Sequence, residues 1–301
     1  MINETYKAML GGKSVIRTLS EYATARGTEI GYDNVFDYSL GNPSVPCPSS
    51  FTKAMIDMYE TADPVALHGY SPSLGNPEAC RTIAESLNRR FGMDYTAGHI
   101  FPTTGAAGAL AHALRAVTKP GDEVLTFAPY FPEYHPYVEG AGARLTVVPA
   151  DIESFQINFA AFEAALNPEV AVVLINTPNN PSGAVYSAET LDRLAGILRA
   201  KQAEYGHDIF LISDEPYREI VFDGGTQPYP AKFYDNTLTC YSWSKSLSLP
   251  GERIGYVAVN PRATPNSSCR CAGRSRAAPA TTARAPACSS PWRRSSTRPA
   301  T

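Results

Sequence analysis

Between residues 100 and 260 the chain alternates two patterns, and that alternation restricts its fold more than any single motif. Short, almost continuously apolar runs fall at 123–127, 144–148, 170–175, 209–212, 238–241 and 256–259, and helix-like stretches separate several of them, the clearest being 188–205. A strand with one wet face would alternate apolar and polar residues. Strands apolar throughout are covered on both faces, and helical crossovers between them make the sheet mostly parallel. The fold class expected is therefore α/β: a three-layer α/β/α large domain with a mostly parallel sheet. In such folds ligands sit beyond the carboxyl ends of the strands. A further helix is expected after Asn76-Pro77-Glu78, which supplies a cap, a first-turn proline and an acid at the positive end. Ala79, Ile83, Leu87 and Phe91 would form its apolar stripe.

Residues 1–45 lack the alternation and are assigned to an N-terminal arm and part of an incomplete small α/β domain, with 46–263 forming the large domain. From 264 to 301 the composition changes. This segment has no Asp, Glu, Lys, Leu, Ile, Val, Met, Phe or Tyr, but seven Arg and three Cys. It has little to bury and reads as disordered. A basic tail or a Cys269-x-Cys271 metal site would account for parts of it. A translated frameshift accounts for more, because codons for Pro265 through Arg274 can be chosen that give a strand-like apolar segment in another frame. Residues 1–263 carry 19 Lys and Arg against 29 Asp and Glu, a net −10. Nothing in that balance points to nucleic acid or a membrane surface. No basic-then-apolar leader opens the chain, no apolar stretch is long enough to span a bilayer, and Cys47, Cys80 and Cys240 are scattered, which fits a reducing cytoplasm.

Five segments at expected strand ends carry chemistry. Lys245, in Ser242-Trp243-Ser244-Lys245, lies between two apolar strands, and enclosure lowers an amine's pKa toward values at which it attacks an aldehyde. The hydroxyls of Ser242 and Ser244 and the guanidinium of Arg253 suit a phosphate. Asp214, in Ser213-Asp214-Glu215-Pro216-Tyr217, needs a donating or cationic partner if buried, and a pyridinium N–H would serve; capping the next turn is the plainer role. Asn180, in Asn176-Thr177-Pro178-Asn179-Asn180-Pro181-Ser182-Gly183, can offer its amide to a phenolic oxygen, as can Tyr217; Asn179 reads as a turn residue. Phe131, in Pro129-Tyr130-Phe131-Pro132, could stack on a flat ring or simply pack. Gly105, Ala106 and Ala107 open a helix after a short strand, where free N–H groups suit an anion or small residues make a tight turn. Aldehyde, phosphate, pyridine nitrogen and phenolic oxygen together describe pyridoxal 5'-phosphate (PLP). Neither a Walker pattern nor Gly-x-Gly-x-x-Gly is present, which argues against ATP or NAD.

With NTPNNPSG, SDEPY and SWSKSLSLPGERIGY in this order, the chain resembles the class I/II aminotransferases, the fold-type I PLP enzymes related to aspartate aminotransferase, from about residue 37 to 260. The resemblance implies that Lys245 carries the cofactor as an internal aldimine and moves the substrate proton. It implies that Asp214 binds the pyridine nitrogen, that Asn180 and Tyr217 bind the phenolic oxygen, and that Phe131 stacks on the ring. Gly105, Ala106, Ala107, Ser242, Ser244 and Arg253 would form the phosphate cup. Tyr70 would reach the phosphate of a neighbouring subunit, implying a homodimer, and Gly41 would lie beside the substrate carboxylate. The activity implied is amino transfer from an L-amino acid, of aspartate type, to a 2-oxo acid such as 2-oxoglutarate. A C–S β-lyase, an aminocyclopropane-carboxylate synthase-like enzyme, or an inactive truncated paralogue that only binds PLP are the alternatives. The family's C-terminal carboxylate-binding arginine has no counterpart in a matching motif here, so weak turnover by residues 1–301 is expected.

Overall fold

A computed structural model describes residues 15–263, together with Lys7. The expectations for 264–301 lie outside the described residues. In chain order the main elements are α1 (Val15–Ile30), α2 (Ser49–Thr61), α3 (Pro64–His68), α4 (Pro77–Phe91), β1 (Ile100–Thr104), α5 (Gly105–Val117), β2 (Glu123–Phe127), α6 (Tyr134–Glu139), β3 (Arg144–Val148), α7 (Phe159–Ala165), β4 (Val170–Asn176), α8 (Ala188–Tyr205), β5 (Phe210–Asp214), β6 (Thr237–Ser242), α9 (Trp243–Ser246) and β7 (Ile254–Val259).

The sheet has seven strands in the order β1-β7-β6-β5-β4-β2-β3. β3, β2, β4, β5 and β6 pair in parallel, while β7 runs antiparallel to both β6 and β1. Residues on successive positions of each strand enter opposite cores, as the pleat requires. Val172, Leu174, Ile212 and Cys240 pack with Ala109, Leu110, Ala113 and Leu114 of α5 and with Tyr134 and Val138 of α6. Val173, Ile175 and Leu211 pack on the other face with Phe162 of α7 and Leu191, Leu194 and Leu198 of α8. The three-layer α/β/α arrangement follows directly. Each fully buried Leu or Val contributes about 1.5–3 kcal/mol relative to exposure.

α4 extends the second helical layer over β1 and β7. The Asn76 side chain caps it by accepting from the Glu78 and Ala79 N–H groups at 2.9 and 3.3 Å, and Gly92 ends it in the left-handed region at φ 64°. Its buried row is Cys80, Ala84 and Leu87, flanked by Ile83 and Phe91, while Ala79 is exposed. The expected stripe at spacing four drifts about 40° per step around a 3.6-residue helix, so its first member turns away from the sheet. Residues 15–75 bury little by comparison: Gly27 is the buried residue of α1, and α2 has none.

The topology places the site. Five parallel strands and β1 end at one edge of the sheet, and β7, being reversed, begins there. Gly105, Phe131, Asn180, Asp214, Lys245 and Arg253 all lie in or beside the segments at that edge.

Candidate active site

Asp214 is the last residue of β5, level with Asn176 on β4 and Cys240 on β6. Its side chain is buried. Oδ2 accepts a 2.7 Å hydrogen bond from the Tyr134 hydroxyl, whereas Oδ1 is buried with no hydrogen-bond partner among the described residues. Burial, reinforced by neighbouring Glu215 and opposed by the Tyr134 hydrogen bond, raises its pKa from 3.8 to about 7. A carboxylate with one oxygen satisfied and the other unpaired is an acceptor site waiting for a donor, preferably a cationic one.

Lys245 lies in α9, the single turn that closes the β6–β7 connection. It is half-buried, and burial holds its amine below the usual lysine pKa. Its Nζ donates to the Gly41 carbonyl and stands 5.9 Å from the centroid of the Tyr217 ring. The lysine, the aspartate loop and the N-terminal segment therefore meet. Enclosure is partial rather than complete, because only one turn separates the amine from the open edge of the sheet.

Tyr217 follows Asp214 by three residues. Burial, with the Asp214 charge adding to it, raises its hydroxyl's pKa, and a hydrogen bond with Asn180 opposes the rise. Asn180 is held from behind: its N–H donates to Asn176 Oδ1 at 2.6 Å, and Asn176 Nδ2 donates to the Asp214 carbonyl at 2.8 Å. Asn179 serves the turn, donating to the Pro129 carbonyl and accepting from Ser182, as its place in the loop suggested. Phe131 packs edge-on against Tyr134, ring centroids 5.8 Å apart, on the Asp214 side of the cluster.

Gly105 opens α5 at φ 75°, a conformation that favours glycine. The Arg253 guanidinium lies so close that a Cβ on Gly105 would stand 2.7 Å from Nη2. Gly255, opposite Ser242 in the sheet, is equally confined: its Cβ would meet the Tyr241 carbonyl at 2.5 Å and the Gly105 backbone at 2.7 Å. These two glycines bring a fixed cation against the positive end of a 13-residue helix, with Ala106 and Ala107 in its first turn and Ser242 and Ser244 buried beside it. The result is an anion cradle.

Thirteen site residues were expected, and twelve sit at this edge or in the segments that frame it. Tyr70 does not join them: it is 92% exposed, between α3 and α4. Tyr134 and Asn176 were not singled out by sequence reasoning. Tyr134 and Asn176 reach Asp214 across 80 and 38 residues of sequence, and only the polar character of an otherwise apolar strand end hinted at Asn176. Among the described residues no cluster of His, Cys, Asp or Glu could hold a metal ion, and no helix is long and apolar enough to cross a membrane.

A doubly covered, mostly parallel sheet with one reversed strand, a lysine in the hairpin that reverses it and an acid at a central strand end is the fold-type I architecture. Known proteins agree. The sequence model of the family described as aminotransferase class I and II matches residues 33–288. An aspartate/prephenate aminotransferase of Cereibacter sphaeroides is 32% identical over 250 residues, 80% of this chain and 60% of that protein. An aspartate aminotransferase of Rhizobium meliloti is 33% identical over 74% of this chain and 53% of its own length. Among solved structures, an amino transferase from Eubacterium rectale superposes with a TM-score of 0.87 at 47% identity, covering 92% of this chain and 70% of that one. The chain belongs to the class I and II aminotransferases. It spans about half to three fifths of the length of the curated relatives it matches.

Proposed function

We propose that the protein is a PLP-dependent aminotransferase that moves an amino group from an L-amino acid of the aspartate type to a 2-oxo acid such as 2-oxoglutarate. The observation that carries this reading is Asp214, a buried carboxylate whose Oδ1 finds no donor among the described residues, in the same cluster as an amine of lowered pKa. Bound PLP supplies an electron sink that makes the substrate Cα–H acidic. The chain's residues bind and orient around that chemistry. Asp214 Oδ1 would accept from the pyridine N–H, and its carboxylate would favour the charged form of that nitrogen. Asn180 and Tyr217 would offer donors to the phenolic oxygen, and Phe131 would cover the ring. The first turn of α5, at Gly105, Ala106 and Ala107, would take the phosphate together with Ser242, Ser244 and Arg253. Lys245, a half-buried amine of lowered pKa, would hold the aldehyde end of the group and stand where it could hold and return the substrate Cα proton. Gly41, whose carbonyl accepts from Lys245, flanks the substrate carboxylate.

The same reading makes the protein a cytoplasmic homodimer in which Tyr70 of each subunit serves its neighbour's phosphate; its exposure is compatible with that role. The names of the relatives support aspartate as donor. Incubating the PLP-loaded protein with aspartate and 2-oxoglutarate should yield glutamate. Pyruvate and ammonia from cystathionine, without glutamate from the first mixture, would assign it to the C–S β-lyases instead.

A further inference from the structure

Lys245 and Tyr217 face each other, yet each rides on a weak support. Lys245 lies on a four-residue helix, too short to be stable on its own hydrogen bonds, and Tyr217 lies on the irregular segment after β5. One buried side chain touches both supports. Tyr241, on β6, donates its hydroxyl to Glu219 Oε2 at 2.9 Å and lies 2.8 Å from Ser246 Oγ. A phenol has one proton, and it points at the carboxylate, so Ser246 is the donor in the second bond. Glu219, two residues beyond Tyr217, is itself fixed by Arg90 of α4 at 2.8 Å. Ser246 is the residue after Lys245.

We infer that Tyr241 is a positioning residue that ties the segment carrying Asp214 and Tyr217 to the short helix carrying Lys245. The chain Ser246–Tyr241–Glu219–Arg90 spans α9, β6, the segment after β5 and α4. The Tyr241 ring is locked by its neighbours: the Arg218 guanidinium 4.6 Å from its centroid, Trp243 edge-on at 5.5 Å and Tyr256 at 5.2 Å. The hydroxyl therefore has one place to be, and α9 takes its position from it. The charged and titratable groups around the phenol are Glu219, Arg218 and Tyr256; the Lys245 amine faces the titratable Tyr217 and donates to the neutral Gly41 carbonyl.

The inference rests on the reading of Lys245 as the reactive amine, but its test does not require PLP. The cofactor-free protein is pulse-labelled with an amine-reactive reagent across a pH series, and labelling of the Lys245 peptide is quantified by mass spectrometry. Tyr241→Phe keeps the ring and removes the tie; Ser246→Ala removes it from the other side. Each should move the Lys245 labelling midpoint up, toward an exposed lysine, by about half a pH unit or more. The double variant should move it no further than the larger single change. Tyr256→Phe disturbs the same aromatic cluster without touching Ser246 or Glu219 and should leave the midpoint in place. A wild-type midpoint in Tyr241→Phe and Ser246→Ala, or an equal shift in Tyr256→Phe, would overturn the inference. PLP uptake by the wild-type protein is read separately, so failure of the cofactor reading would show there and not in the midpoints.

Discussion

The Asp214 carboxyl should make the cofactor-free protein less stable as pH rises, and Asp214→Asn should abolish that slope. Folded, the group's pKa is about 7 because it is buried with one oxygen unpaired; an exposed aspartate lies near 3.8. The folded state therefore keeps a proton that the unfolded state has released. The contribution is intact below about pH 4 and is lost as pH climbs through 7. A difference of about three pKa units corresponds to about 4 kcal/mol in full, of which about 3 kcal/mol falls between pH 5 and pH 8. Urea unfolding followed by circular dichroism at pH 5, 6, 7 and 8 measures this directly. Other titrating groups are common to both proteins, so the difference between variant and wild type isolates Asp214. That difference should grow in the variant's favour by about 3 kcal/mol across the series. Saturating PLP should flatten the wild-type slope, because a cationic donor at Oδ1 favours the ionised acid. Parallel profiles for the two proteins would refute the claim that this carboxyl is desolvated and short of a donor.

The rest follow from single contacts. Tyr134→Phe removes the one donor that the described residues give the Asp214 carboxyl and should push the Asp214 midpoint, read by carbon NMR titration, up from about 7; an unchanged midpoint would mean the hydroxyl bond has no hold on it. Arg218→Met strands buried Glu215, its partner at 2.6 Å, and should cost about 3–5 kcal/mol in urea unfolding, with much of the loss regained in the Arg218→Met, Glu215→Gln double variant. Gly255→Ala forces its Cβ onto the Tyr241 carbonyl and the start of α5, so PLP affinity measured by fluorescence should fall at least roughly tenfold, about 1.4 kcal/mol.

Much of the fold was written in local pattern. β2 and β3 coincide with their apolar runs, α8 with its helical stretch, and the strand-end motifs stand where the parallel arrangement puts them. The reversal of β7 is legible only from chain length: eleven residues between β6 and β7 leave too little room for a crossover helix, so the two strands pair as neighbours. Asp214, Asn180 and Lys245 were legible because their chemistry is carried by short motifs. Tyr134 was not, because its hydroxyl means nothing until an acid 80 residues away is folded against it. Tyr241 was hidden for a related reason. Its apolar neighbours on β6 mark it as core, and its ring is core, while its hydroxyl joins the segment after β5 to α9, which sequence order keeps apart. Tyr70, expected at the phosphate of a neighbouring subunit, lies exposed in the single chain.

The account turns on which amine meets the cofactor. Borohydride added to the PLP-loaded protein, followed by proteolysis and mass mapping, should leave the reduced pyridoxyl group on the peptide containing Lys245 and remove the visible absorbance of the bound cofactor. A label on another lysine, or none on any peptide, would contradict it.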